Sequence, residues 1–189
     1  MKYRYQRLLP LCAAALMMAG CAQYKAGPYS ADYQALDRLK AAKPEPAAVA
    51  TVQPTAPEHA VNRLSLRGAG LVSPSGTFAK YLEDALVSDL KEALVYDAKA
   101  RTQLAAEILK NDMDISSFSV GKATIEVRLV VTRDGQRRLD KRYPAAITFD
   151  SHLMGNTAIP AGQAAYSGVV RELLRSIYSD PQFLAAIGK

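Results

Sequence analysis

The stretch ATIEVRLVVTRDG, residues 123–135, decides how this chain folds. Ala123, Ile125, Val127, Leu129 and Val131 alternate with Thr124, Glu126, Arg128 and Val130. Successive side chains of a strand point to opposite faces, so this alternation reads as a strand with one face buried. Asp134-Gly135 marks a hairpin turn. Beyond it, RRLDKRYPAAITF (residues 137–149) gives a second strand, with Leu139, Tyr143, Ala145, Ile147 and Phe149 on its apolar face.

The register of this hairpin follows from parity. A two-residue loop sets odd residues against even ones and turns one apolar face outward. A three-residue loop, Arg133-Asp134-Gly135, restores the match, with Gly at the left-handed position. It predicts Leu129 opposite Leu139, Ile125 opposite Tyr143, Glu126 against Arg142 and Arg128 against Asp140. A shift that faced Arg128 with Arg142 would repel.

Other elements follow outward. Phe78, Leu82, Leu86, Leu90 and Leu94 recur every four residues and predict a helix over 77–96 with one apolar stripe. Strands are expected at 63–67, where Leu64 and Leu66 share a face, and at 103–109, where Leu104, Ala106 and Ile108 do. Gly68 and Gly70 read as a bend or bulge, and residues 111–119 as a polar loop. Pro160 suits the first turn of a long helix that buries Tyr166, Val169, Val170, Leu173 and Ile177. Asp180-Pro181 reads as the cap and first residue of a short last helix burying Phe183 and Leu184. The order strand, helix, three strands, helix predicts an α+β two-layer sandwich over residues 61–189. Its sheet is mixed and four-stranded, with strand 63–67 parallel to strand 103–109 and both helices on one face. The other face carries Glu126, Arg128, Asp140 and Arg142 and should be solvated or meet a partner.

The first sixty residues differ in character. Lys2, Arg4 and Arg7 precede an apolar run from Leu8 to Ala19, broken only by Pro10. That order is an export signal over residues 1–20, too short for a spanning helix of about 20 apolar residues. Residues 21–60 hold Pro28, Pro44, Pro46, Pro54 and Pro57, half of the ten prolines, and read as an Ala/Pro-rich tether. Extended, the tether would reach roughly 120 Å. Within it a short helix is expected near 31–40, with Leu36 and Leu39 on one side; Tyr24, Tyr29 and Tyr33 read as solvated.

Met18-Ala19-Gly20-Cys21 resembles the lipobox of bacterial lipoproteins, with Met18 where Leu is usual. The resemblance implies that the Cys21 sulfur takes a diacylglyceryl group, that the signal is cleaved and that the new amine is acylated. Two or more acyl chains anchor a protein stably, where one does not. Ala22, rather than Asp, resembles the outer-membrane default of enteric-type sorting. Cys12 leaves with the signal and Cys21 is consumed, so no disulfide or thiolate metal site is expected. Removing the three basic signal residues from 24, against 18 acidic ones, leaves +3, too mild for a nucleic-acid partner.

Chemistry-bearing motifs are sparse. Asp150-Ser151-His152 holds the residue types of a hydrolase triad, but neighbours in an extended chain point to opposite sides and cannot align. Asp112 and Asp114 lack the fuller oxygen set of a calcium loop, and Gly68-Ala69-Gly70 lacks the third glycine of a dinucleotide fingerprint. No catalytic residue, cofactor or metal is expected. Arg128, Arg137, Arg138, Lys141 and Arg142 form a basic patch that could meet anionic lipid or a partner protein.

Residues 78–82 (FAKYL), the strand and turn at 125–135, and residues 178–183 (YSDPQF) resemble small envelope lipoproteins of the YajG type. More distantly they are similar to the lipopolysaccharide-assembly lipoprotein LptE and to auxiliary lipoproteins of lipid-transporting ABC systems. The resemblance spans about residues 61–187. It implies a non-enzymatic accessory or binding role in envelope assembly or lipid transport, on the outer membrane and facing the periplasm. The long tether offers the alternative of a structural lipoprotein that docks or spaces envelope layers.

Overall fold

The computed structural model describes residues 23–188, and the expected signal, the lipobox with Cys21, and Ala22 lie outside them. Among the described residues the fold is α+β, with four α-helices and two mixed sheets. The larger sheet has the order β2 (Ala47–Val49), β5 (Thr102–Asp114), β6 (Val120–Arg133), β7 (Gln136–Asp150). β2 runs parallel to β5, and the other neighbours are antiparallel. The smaller sheet has the order β1 (Gln23–Lys25), β4 (Ala69–Val72), β3 (Leu64–Leu66). The helices are α1 (Tyr33–Ala41), α2 (Phe78–Glu92), α3 (Gly155–Ser179) and α4 (Pro181–Ile187).

β6 buries Ala123, Ile125, Val127, Leu129 and Val131, as its alternation requires. The Phe78, Tyr81 and Tyr166 rings meet where α2 and α3 close over this face, with centroids 4.5 Å and 5.3 Å from the Tyr166 ring. Pro160 lies inside α3, which starts earlier than proline alone indicates. Asp180 does cap α4: its side chain accepts from the Gln182 N–H, and Pro181 opens the helix. Phe183 is buried as expected and Leu184 half-buried.

The hairpin corrects the expected register. Its loop is Asp134-Gly135 alone, with φ of 51° and 77°, the left-handed pair that a two-residue turn needs. Parity is instead restored one step on. Thr132 faces Arg137 and Val131 faces Leu139, leaving Arg138 as the extra residue of a bulge. Leu129 therefore faces Lys141 and Ile125 faces Ala145, two residues from the expected partners. Arg128 does sit opposite Arg142, the arrangement that repulsion argues against. Diagonal pairs relieve it: Arg128 donates to both Asp140 oxygens at 2.7 Å, and Arg142 reaches Glu126 at 3.8 Å. Gly135→Ala would force a Cβ into the left-handed region and should cost about 1–2 kcal/mol. A urea midpoint unmoved by this change would contradict the turn.

β5 also runs further than expected. Its register shifts between Ile108 and Lys110, so buried residues change from Leu104, Ala106 and Ile108 to Met113. A single period cannot be followed across that bulge, which is why residues 111–114 read as loop. Strand 64–66 is not the parallel neighbour of β5. It turns at Arg67-Gly68 into β4, so of the bend and the bulge expected at the glycines the bend is found, as a hairpin.

The expected tether is the largest correction. Residues 23–49 contribute β1, α1 and β2, and Leu36 and Leu39 of α1 are fully buried. β2 takes the parallel edge position beside β5 that strand 63–67 was expected to hold. The chain continues along β5 through hydrogen bonds from Ala50 N to Leu104 O and from Gln53 N to Ala106 O. Small residues suffice here because backbone bonds do the pairing, and an Ala/Pro-rich run can lie against a sheet edge. Of the three tyrosines, only Tyr33 is strongly exposed; Tyr24 and Tyr29 pack against the core.

Candidate functional site

The uncovered face of the larger sheet and the β6–β7 hairpin carry the basic residues of the expected patch. Even-numbered residues of β6 and β7 point away from the helices, which exposes Arg128, Asp140 and Arg142. Glu107 of β5 stands directly opposite Arg128. A shallow groove runs between the 51–54 segment and this face, with Thr51, Pro54, Glu107, Arg128 and Val130 along it.

The patch is internally compensated. Asp140 accepts from Arg128 and, at 2.8 Å, from Arg137. These two guanidiniums hold its carboxyl well below the usual carboxylate range. Lys141 points to the other side of β7, where it donates to Asp180 at 2.8 Å and to Gln182 at 3.0 Å. Tyr143 also donates to Asp180, at 2.5 Å. Burial would raise the Asp180 carboxyl, but the bonds from Lys141 and Tyr143 outweigh it and leave it below its ordinary value. The structure thus gathers Arg128 and Arg137 about one carboxylate and sends Lys141 elsewhere. Arg138 is exposed on the bulge. Asp140→Ala should release two guanidiniums. Losing the carboxylate raises the net charge by one, so the domain would bind an anionic surface about fivefold more tightly, at about 1 kcal/mol per unit of charge. Later elution from heparin at fixed pH would show it, and unchanged elution would count against the compensated patch.

Two other groups escape the sequence reading. Asp89 is 1% exposed, on the inner side of α2. It accepts from the Tyr29 hydroxyl at 2.8 Å, while its second oxygen has no partner among the described residues. Burial pushes its carboxyl up to about 6, and the charges of Asp32 and Glu92 add to that. Its spacing could have revealed it, because a residue seven after Leu82 and three after Leu86 falls on the apolar stripe. Arg67, at the β3–β4 turn, donates to the carbonyls of Ile115 at 3.2 Å, His152 at 2.6 Å, and Leu153. No sequence period announces such a contact, since it joins three loops far apart in the chain.

Asp150 and His152 are exposed and Ser151 is buried between them, so the three are not brought together. Asp112 and Asp114 lie on exposed positions of β5, and Asp114 accepts from the Ser116 N–H. Among the described residues, no group of three or more His, Cys, Asp or Glu could hold a metal ion. None of the described helices is long and apolar enough to cross a membrane.

No protein-family model matches this chain, and no curated protein does. Solved structures do. A Xanthomonas campestris protein of the family DUF330 superposes with a TM-score of 0.61 at 15% identity, covering 87% of this chain and 96% of its own. A "putative lipoprotein" from Caulobacter crescentus gives a TM-score of 0.47 at 13% identity, covering 81% of this chain and 96% of its own. The first likeness, at that identity, is one of fold.

Proposed function

We propose that this chain is a lipoprotein of the bacterial envelope, anchored through acylated Cys21 to the outer membrane and facing the periplasm. Its sheet domain acts there as a non-enzymatic binding subunit in envelope assembly or lipid transport. The observation that carries the reading is that folded structure reaches close to the lipobox-like stretch. β1 starts at Gln23, two residues after the cysteine that ends the lipobox-like stretch. Lipid on that sulfur would hold a folded module, rather than a string, at the bilayer. The partner surface in this reading is the open sheet face around Glu107 and Arg128, where alternating charges favour a protein of matching pattern over a plain anion. The likeness to YajG-type and LptE-like lipoproteins belongs to the same reading. The spacer alternative loses its motive, because the segment expected to act as the spacer is folded against the domain.

The mass of the N-terminal peptide from the native membrane protein tests the anchor. An acylated Cys21 is expected, with loss of membrane partitioning in Cys21→Ser; a free thiol on a partitioning protein would sink the reading. A photocrosslinker in place of Arg128 should capture a specific envelope component that one in place of Arg171, exposed on α3 at the other side of the sheet, does not.

A further inference from the structure

We infer that the loop end of the sheet, presenting Phe118, Val120, Leu153 and Met154, is a membrane-docking surface that sets the domain upright on the bilayer. The inference rests on the anchor reading and adds an orientation to it. Six large apolar side chains stand exposed among the described residues. Four of them are at this one end: Phe118 at 72%, Val120 at 50%, Leu153 at 61% and Met154 at 63%. Contiguous exposed apolar groups of this kind mark membrane or protein contacts.

The four lie on or beside two loops that are held together. Val120 pairs with Asp150, and Ser151 N donates to Ser119 O at 2.9 Å. Arg67 ties the carbonyls of Ile115, His152 and Leu153 to the β3–β4 turn. The tip is therefore a braced platform.

The path of the chain says what covers it. β1 is parallel to β4, with Gln23 beside Gly70 and Lys25 beside Val72. β4 leaves the Arg67-Gly68 turn, so the start of β1 lies toward that same turn. From Lys25, whose carbonyl accepts from the Gln163 side chain, the chain runs alongside α3 to Asp32, which pairs with Arg175. Followed backward it leaves by the end where α3 begins, just after Met154. Cys21 lies two residues before Gln23, within about 7 Å. An acylated sulfur would thus enter the bilayer beside the apolar tip. The hairpin with Arg138 stands at the opposite end, roughly 45 Å away along a 14-residue strand. The basic hairpin would then face into the periplasm, away from the lipid that anchors the chain.

Full-length protein, acylated and purified from membranes, would carry one introduced thiol, F118C, L153C or R138C, labelled with an environment-sensitive fluorophore. It would be placed in phosphatidylethanolamine–phosphatidylglycerol vesicles with and without brominated acyl chains. Labels at 118 and 153 should be quenched about twofold or more, as fits groups seated ~5–10 Å into the interface, and the label at 138 should not be. An acylated protein whose label at 118 is quenched no more than that at 138 overturns the docking alone. An N-terminal peptide without acyl chains overturns both the docking and the anchor. A blue shift at 118 that needs no vesicles and grows with protein concentration makes a second copy the occupant, and also overturns the inference.

Discussion

Leu36→Ala is expected to lower the stability of the domain by about 2–5 kcal/mol, a large part of the 5–15 kcal/mol typical of a folded domain. Leu36 is 0% exposed in α1 and sits among core side chains with Leu39. Removing three carbons there loses burial and leaves a cavity. α1 is fixed independently at its start: Asp32 accepts from the N–H groups of Gln34 and Ala35 and pairs with Arg175 at 2.5 Å. Its collapse around a smaller residue is therefore limited. Chemical denaturation would read the loss. A midpoint unchanged within error would return residues 22–60 to the status of a tether, because a side chain in a solvated spacer contributes almost nothing.

Asp89→Asn is expected to stabilise the protein at pH 7.5 by about 3 kcal/mol. Burial raises the folded-state carboxyl from 3.8 to about 6. A raised value means that the folded protein holds this proton more tightly than the unfolded chain does. The resulting stability is fully present below about pH 3.8 and is lost as pH rises through about 6. At pH 7.5 the folded state carries a buried charge with one hydrogen bond from Tyr29. Asparagine keeps the acceptor for Tyr29 and removes the charge. Denaturation curves at pH 3.5 and 7.5 should show the variant near the parent at the lower pH and above it at the higher one. A variant less stable than the parent at pH 7.5 would mean that the bond to the charged oxygen outweighs its burial.

The parts of the fold legible in the sequence are those where one period runs long enough to be counted. The β6 alternation, the α2 stripe from Phe78 to Leu90 and the Asp180-Pro181 cap all describe contacts within a few residues, and all three are found. Leu94, expected to continue the stripe, instead lies past the helix end in the left-handed region, with φ of 61°, and is 90% exposed. What escaped joins residues remote in sequence. β1 and β2 have three residues each, too few to show a period, and both are held by backbone bonds to strands far along the chain. Bulges at Leu109 and Arg138 hid the end of β5 and shifted the hairpin by two, since inserting one residue reverses the faces of everything beyond it. The charge pairs were partly readable. Arg128 with Asp140 and Glu126 with Arg142 do form, because a twisted sheet lets long side chains meet on the diagonal as well as directly across. Asp89 was legible only as a position on the apolar stripe, whereas the contacts of Arg67 depend on loop carbonyls, which no pattern of residue types records.

The direction of β1 has a mechanical consequence. Tension applied to the chain ahead of Gln23 acts along the strand axis, because β1 leaves the smaller sheet end-on and parallel to β4. Its ladder to β4, the bond from Ala26 N to Val72 O and the bonds between residues 25–27 and Gln163 would then be strained together, in shear. They would not be peeled one after another. A short strand attached in this way resists extraction better than its length implies, and a drag force on the domain would be spread into α3 and both sheets rather than concentrated on one peptide group.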